Sequence, residues 1–307
     1  MITENPENGL PPLFFSVIVP FRGNHRQVQN LLETLEQQTF PKTSFEVILV
    51  DNGTDESSPI FNSEKIAIKN LRESRYSGSP YSARNRGIEH ASGEVLAFID
   101  ANSYPDRHWL ENAGKCLQSK QGELLAGAVK FDFDGNPTAA KIADSLISIQ
   151  VEKSVRERHV AYTANLFVEK EIFSKIGSFE EGIRSGGDVR FCKKATNSGF
   201  TISYCGSSVV YKEARTFKAL MGKKIRTGRG YYYTWITERS EGEKWYSNLI
   251  RMVFKVPSFT EIMRHPKVTW TNLVTVWSVI YFLRVVEQFA FIAEYSRNRK
   301  EKAISYQ

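Results

Sequence analysis

The sequence predicts an α/β fold: a mostly parallel sheet flanked by helices, followed by a helical C-terminal extension. Three observations carry this. Short, wholly apolar runs alternate with stretches of helical periodicity through the first half. Each run stops at turn-forming or acidic residues, and from Tyr211 onward the pattern is helical and strongly basic. Runs that are apolar on both faces suit strands buried between helical layers, and strand–helix alternation is how parallel strands are connected. With 307 residues, 41% of them hydrophobic, the chain can bury one large core or two modest ones.

Residues 14–19 (FFSVIV), ending at Pro20, read as the first buried strand. Residues 25–38 place Val28, Leu31, Leu32 and Leu35 on one helical face. Residues 45–50 (FEVILV) form a second strand, closed by the turn formers Asp51-Asn52-Gly53. Residues 82–90 read as a helix, 94–99 (EVLAFI) as a third strand and 106–118 as another helix. After Gly122 the alternation loosens into a strand at 124–133, a helix at 139–155 and a strand at 161–168. A helix at 187–198, stopped by Gly199, and a short strand at 201–204 complete this part.

Composition excludes collagen-like, disulfide-framework and wholly disordered chains, since core-forming residues are plentiful and no type dominates. Cys116, Cys192 and Cys205 are odd in number and widely spaced, which favours a reducing cytoplasm. Residues 1–12 read as a flexible N-terminus without the basic start and apolar core of a signal peptide. Lys and Arg number 41 against 34 Asp and Glu, a formal charge of +7 that suits an anionic substrate, an anionic membrane surface or nucleic acid.

In a doubly wound sheet, ligands bind beyond the carboxyl ends of the strands, so the residues just after each strand matter most. Here they are Pro20-Phe21-Arg22, Asp51-Asn52-Gly53 and Asp100-Ala101-Asn102. A carboxylate there can accept from a base or ribose, and close carboxylates can hold a divalent ion between phosphates. A single acidic strand end is commonly just a turn or a cap. Polar groups after all three strands on one rim point to function.

SVIVPFRG, EVILVDNGTDES and YSARNRGIEHASGEVLAFIDANSYPDRHWL, followed by YTANLFVEKEIFSKIGSFEE and SGGDVRFCKKATNSGF, resemble inverting family 2 glycosyltransferases. The resemblance spans about residues 16–230 and implies a GT-A fold that takes a sugar from a nucleoside diphosphate. It places Pro20 and Arg22 under the nucleotide and Asp51 at the base, most often uracil in this family, with Asn52 among the donor-binding residues. Arg84 and Asn85 would lie near the base and diphosphate, and Asp100 on the first acidic position of the Asp-x-Asp motif. Asp188 falls on the catalytic base. Independently of the resemblance, a helix start bearing an Arg suits a diphosphate, and an inverting transfer needs one carboxylate to deprotonate the acceptor hydroxyl. Asp188 also fits a helix N-cap. Asn165, Gly186 and Gly187 are the expected acceptor contacts, the glycines by letting a sugar approach closely.

Two positions depart from the family pattern. The second acid of the metal motif is Asn102, which brings no charge, and a His found in many relatives is matched by Lys212 in VVYKEAR. Both changes weaken binding of Mg²⁺ or Mn²⁺ by Asp100 and Asn102, and Lys212, Arg215 and Arg229 are expected to supply charge instead. The competing reading keeps Asn102 as a ligand and shifts the alignment at Lys212 by one.

Residues 211–230 hold Lys212, Arg215, Lys218, Lys223, Lys224, Arg226 and Arg229 against Glu213 alone. The expectation is Lys212 and Arg215 near the diphosphate, with positions 223–229 facing lipid or solvent. Residues 268–295 are apolar but interrupted by Arg284 and Glu287. A spanning helix needs roughly 20 mostly apolar residues, so a membrane-surface helix or a homo-oligomer contact fits better than a span.

The expected domain plan is 1–12, a glycosyltransferase domain over 13–230 divided near 120, and a helical region over 231–307. The expected function is inverting transfer from a nucleotide-diphosphate sugar, UDP-linked, to a glycan or lipid-linked hydroxyl in cell-surface glycan, polysaccharide or glycolipid synthesis. The expected location is cytoplasmic, peripheral at the inner face of the membrane. A catalytically impaired nucleotide-sugar-binding protein is the rival that Asn102 allows. Nucleic acid is not an expected partner, because no base-stacking or helix-turn-helix motif accompanies the basic stretch.

Overall fold

The computed structural model describes residues 13–53, 58–119, 122–133, 135–238 and 258–304. The expected flexible N-terminus, and residues 239–257 of the helical C-terminal region, lie outside the described residues.

The first apolar runs form β1 (Phe15–Phe21), β2 (Phe45–Asp51) and β4 (Val95–Ile99), every residue of them buried. Between β2 and β4, β3 (Ala67–Arg72) adds an edge strand that the sequence did not disclose, because AIKNLR has no apolar run to mark it. The connecting helices are α1 (His25–Glu36) and α2 (Pro80–His90). Val28, Leu31, Leu32 and Leu35 are the buried face of α1, as their spacing requires. Each fully buried aliphatic or aromatic side chain stabilises the fold by about 1.5–3 kcal/mol.

The remaining elements of the sheet and its flanks are β5 (Ser103–Pro105), α3 (Trp109–Gln118), β6 (Leu124–Asp132), α4 (Ala139–Ile147), α5 (Val151–Arg158), β7 (Asn165–Glu169), α6 (Lys170–Ile176), α7 (Gly187–Asn197) and β8 (Ile202–Glu213). The eight strands lie in the order β3-β2-β1-β4-β7-β6-β8-β5. The parallel expectation holds for β3-β2-β1-β4. Beyond β4 the pairs β4/β7, β6/β7 and β5/β8 are antiparallel, so the sheet as a whole is mixed. The expected short strand at 201–204 is instead the twelve-residue β8, which continues past Tyr211 where a helix was expected. Its alternating polar residues hide the strand from a search for apolar runs.

The expected single helix over 139–155 is two, α4 and α5, interrupted at residues 148–150. Ser148 ends α4: its backbone N–H donates to Asp144 O and its hydroxyl to the Asp144 carboxylate. The interruption coincides with a larger division. The chain separates into two compact units, Met1–Lys130 with Gln150–Lys212, and Phe131–Ile149 with Glu213–Gln307. A boundary at 230 falls inside α8 (Phe217–Glu238).

The second unit packs α4, α8, α9 (Phe259–Met263) and α10 (Leu273–Ile304) around Ile142, Leu220, Ile262, Val276, Ile280 and Leu283. On α8, Leu220, Lys224, Gly228 and Tyr232 recur every four residues and face inward. Gly228 allows α10 to approach closely, since a Cβ there would sit 2.2 Å from Glu287 O. Arg284 and Glu287 do not interrupt α10. Glu287 is buried and receives Lys224 Nζ at 3.1 Å and Thr227 Oγ1 at 2.6 Å. By length and composition, Leu273–Asn298 is long and apolar enough to cross a membrane, contrary to the reading of an interrupted helix.

The cysteines also correct a reading. Cys116 on α3 and Cys205 on β8 form a disulfide across 89 residues, leaving Cys192 free and buried. Wide spacing therefore carries no statement about compartment here.

Candidate active site

The site lies in the first unit, where β1, β2 and β4 end on one edge. Register fixes this: Phe21 pairs with Asp51, and Ile18 with Phe98. Pro20 is buried within β1 and Arg22 is exposed just beyond it. Asp51 is buried at the end of β2, with Oδ2 3.7 Å from Arg72 Nε. Asn52 follows, its N–H donating to Phe21 O at 2.7 Å and its O accepting from Gly78 N at 3.2 Å. A Cβ on Gly78 would lie 3.1 Å from Arg22 Nη1 and 3.2 Å from Arg184 Nη2. Both guanidiniums thus lie over this left-handed glycine, and Arg184 is a cation of this rim that the sequence reading missed.

Ser79 caps α2, accepting from Ser82 N, with Pro80 in the first turn. The next turn delivers Arg84, which is buried. Its Nη2 donates to Asp100 Oδ1 at 2.8 Å, and its guanidinium lies 5.4 Å from the Tyr81 ring centre. The Arg84 Nε–H is buried with no hydrogen-bond partner among the described residues. The other oxygen of Asp100 accepts from Lys212 Nζ at 2.6 Å. β5 and β8 enforce this contact, because Ser103 pairs directly with Lys212. Asn102 is exposed in the intervening turn.

Asp188 occupies the first turn of α7, after Gly186 in the left-handed N-cap conformation. Its Oδ1 accepts from Tyr81 Oη at 3.0 Å and Val189 N at 3.0 Å, and its Oδ2 from Thr163 N at 3.3 Å. Burial pushes the Asp188 carboxyl above its ordinary value, against the opposing pull of Arg84, Thr163, Tyr81 and Val189. Burial and the neighbouring Asp188 also push the Tyr81 hydroxyl up, so it stays a proton donor to that carboxylate. Tyr81 and Thr163 were not singled out from sequence, although both stand inside its quoted motifs.

Several expected site residues serve the scaffold instead. Asn165 is 0% exposed: its Nδ2 donates to Ala128 O and Ser208 O, and its Oδ1 accepts from Trp109 Nε1. It presents no surface to an acceptor. Asn85 is buried and grips Phe179, with Nδ2 donating to its O at 2.8 Å and Oδ1 accepting from its N at 3.1 Å. Gly186 is required by its φ of 84°. Gly187 leaves room for the Tyr81 ring, whose atoms lie 2.8–2.9 Å from where a Cβ would stand, so it does not open a path for a sugar. Arg215 belongs to the second unit, where its Nη1 lies 3.2 Å from the buried Asp144 carboxylate. Lys223 also turns to Asp144 and Lys224 to Glu287, so these two do not face lipid or solvent.

Among the described residues, no group of three or more His, Cys, Asp or Glu side chains is placed to hold a metal ion. Asp100 is engaged on both oxygens by cations, and its neighbour Asn102 adds no charge. This donor set does not fit a divalent ion.

A mixed sheet with polar residues after its parallel strands, and a buried carboxylate opening a later helix, fits the GT-A fold of glycosyltransferases. The Glycosyl transferase family 2 model matches residues 16–177, more than half of the chain, and the chain belongs to that family. It is 36% identical to glycosyltransferase AglE of Haloferax volcanii over 230 residues, 74% of this chain and 75% of AglE. Its fold is similar to that of the mannosyltransferase PcManGT from Pyrobaculum calidifontis, solved with GDP-Man and Mn²⁺. That likeness has a TM-score of 0.55 at 16% identity over 95% of this chain and 75% of the other. It is also similar to Staphylococcus aureus TarS 1–349 in complex with UDP-GlcNAc. There the TM-score is 0.51 at 17% identity, over 94% of this chain and 92% of the other. The chain is thus a glycosyltransferase.

Proposed function

We propose that the enzyme inverts: it moves a sugar from a UDP-linked donor to a hydroxyl acceptor in the assembly of a cell-surface glycan, polysaccharide or glycolipid. The observation that carries this is Asp188, a buried carboxylate held by Tyr81 and Thr163 and linked through Tyr81 to the Arg84–Asp100 pair. In the step, the acceptor oxygen bonds to the anomeric carbon while its proton passes to Asp188. The bond to the diphosphate breaks on the opposite face, and its electron pair leaves with the diphosphate. Asp51 and Asn52 receive the base, Arg22 underlies the nucleotide, and Arg84 and Lys212 face the phosphates. UDP is favoured by the resemblance and by TarS, which is solved with UDP-GlcNAc.

The test is a panel of UDP- and GDP-linked sugars read by thermal stabilisation and by release of the nucleoside diphosphate. The anomeric configuration of the product is then read by NMR. UDP-sugar turnover with inversion is expected. A retained configuration, or a preference for GDP-sugars, would overturn the corresponding part of the reading. Binding without turnover would favour the impaired binding protein.

The second unit supports a further element, peripheral attachment to anionic lipid. Trp270 (80% exposed), Phe289 (67%), Val274, Phe282 and Phe217 present apolar surface, and Lys218, Arg264 and Lys267 are exposed on the same unit. Apolar and basic side chains together suit an anionic bilayer surface. Co-sedimentation with phosphatidylglycerol vesicles is expected at low salt and weakens in high salt. Equal recovery in the supernatant with anionic and neutral vesicles, with a dimer by light scattering, would assign this surface to a second copy instead.

A further inference from the structure

We propose that Lys212 is the resident cation of the donor site, standing where a divalent ion would otherwise meet the diphosphate. Asp100 is then a positioning residue for that ammonium and not a metal ligand. This rests on the donor reading above and deepens it.

The argument is one of charge and geometry. Asp100 is the one carboxylate among Asp100, Asn102, Arg84 and Lys212, and two cations are bound to it, Lys212 Nζ at 2.6 Å and Arg84 Nη2 at 2.8 Å. The cluster carries one net positive charge, which attracts a diphosphate and repels a dication. A metal ion on either Asp100 oxygen would share that oxygen with one of these cations and meet its charge at close range. Lys212 is 1% exposed and strand-paired to Ser103, so it has no solvent to retreat into.

A buried ammonium needs a counter-charge, and Asp100 supplies it. Asp100 Oδ2 is the one hydrogen-bond partner of Lys212 Nζ among the described residues, although an ammonium has three donors. With the unpartnered Nε–H of Arg84, two buried cations beside Asp100 keep donor capacity to spare. Phosphate oxygens are acceptors of the matching kind. Asp100 is 33% exposed, so this cluster reaches the surface through its carboxylate.

The experiment measures UDP and GDP binding to the full chain by calorimetry in EDTA and in Mn²⁺, with Mn²⁺ binding to the protein alone followed by electron paramagnetic resonance. The expected result is nucleotide affinity equal within about twofold in EDTA and Mn²⁺, and no stoichiometric Mn²⁺ site. Lys212→Met is expected to weaken UDP binding by about 10- to 100-fold, the loss of one charge-assisted hydrogen bond, while uridine binding stays unchanged. The pair Asn102→Asp with Lys212→His reverses the cluster's charge and is expected to make UDP binding depend on Mn²⁺. Should either variant fail to fold, the wild-type arms decide alone. Nucleotide binding that needs Mn²⁺, or a stoichiometric Mn²⁺ site in the wild type, overturns the inference and leaves the donor reading standing. A wild type that binds neither nucleotide under either condition removes the donor reading, and this inference with it.

Discussion

Asp188→Asn is expected to lower kcat by about 10²- to 10⁴-fold, the usual contribution of a positioned general base, while the protein remains folded. The two effects separate because of where the carboxylate sits. Asp188 is buried, and its oxygens accept from Tyr81 Oη, Thr163 N and Val189 N. An asparagine keeps the shape and, with the Tyr81 hydroxyl rotated to accept, loses about one of these hydrogen bonds, worth ~1 kcal/mol.

The proton balance works in the variant's favour. Burial raises the folded pKa of Asp188, so its contribution to stability is present in full below the unfolded value and is lost as pH rises through the folded one. The ionised carboxylate therefore costs stability that the amide does not. Activity has the opposite slope, since the base must be ionised. In the wild type, kcat should fall on acidification at a pH above that of a solvated aspartate. Equal turnover by wild type and variant, measured on the donor identified in the sugar panel, would end the assignment.

Asp144→Ala should destabilise the protein by about 3–5 kcal/mol, the cost of removing one partner from a buried ion cluster. Asp144 is fully buried on α4 and receives Arg215 N at 2.9 Å, Arg215 Nη1 at 3.2 Å and the Ser148 hydroxyl. Lys223 Nζ lies 3.8 Å away and also donates to Ser148 Oγ at 2.7 Å. Burial pushes the Asp144 carboxyl up, but Lys223 and Arg215 outweigh it and hold the group below its ordinary value. A lowered folded pKa gives stability that is present above the unfolded value, near 3.8, and lost as pH falls through the folded one. Urea unfolding of wild type and variant at neutral pH and in acid checks both statements. The difference should shrink as Asp144 protonates, and a variant as stable as the wild type at neutral pH would refute the cluster's role.

The residues that sequence located well are those whose role is local. FFSVIV, FEVILV and EVLAFI are buried strands, because an unbroken apolar run has few other places to go. The residues ending them share one rim, because parallel register leaves no alternative. Asp188 is a first-turn residue of a helix behind glycines, as its surroundings indicate. Residues whose role depends on distant partners were misjudged. Asn165 was expected at the acceptor and instead bonds to Trp109, Ala128 and Ser208, 56, 37 and 43 positions away. Gly187 makes room for Tyr81, which lies in a separate motif. In the run 211–230 positions 223–229 were expected to face lipid or solvent, yet Lys223 and Lys224, like Lys212 and Arg215, turn to carboxylates that no local pattern predicts.

By itself, the sequence determined the fold class, the rim that carries the proposed donor-site residues and the carboxylate of the proposed base. These follow from hydrophobic periodicity and from residue types at strand ends, which act over a few positions of chain. Only the tertiary structure decided which charges neutralise one another, because an ion pair is set by distance in space. It turned Asp100 from a metal-motif acid into the counter-ion of Lys212, 112 positions along the chain. It likewise turned Glu287 from a break in a helix into the partner of Lys224.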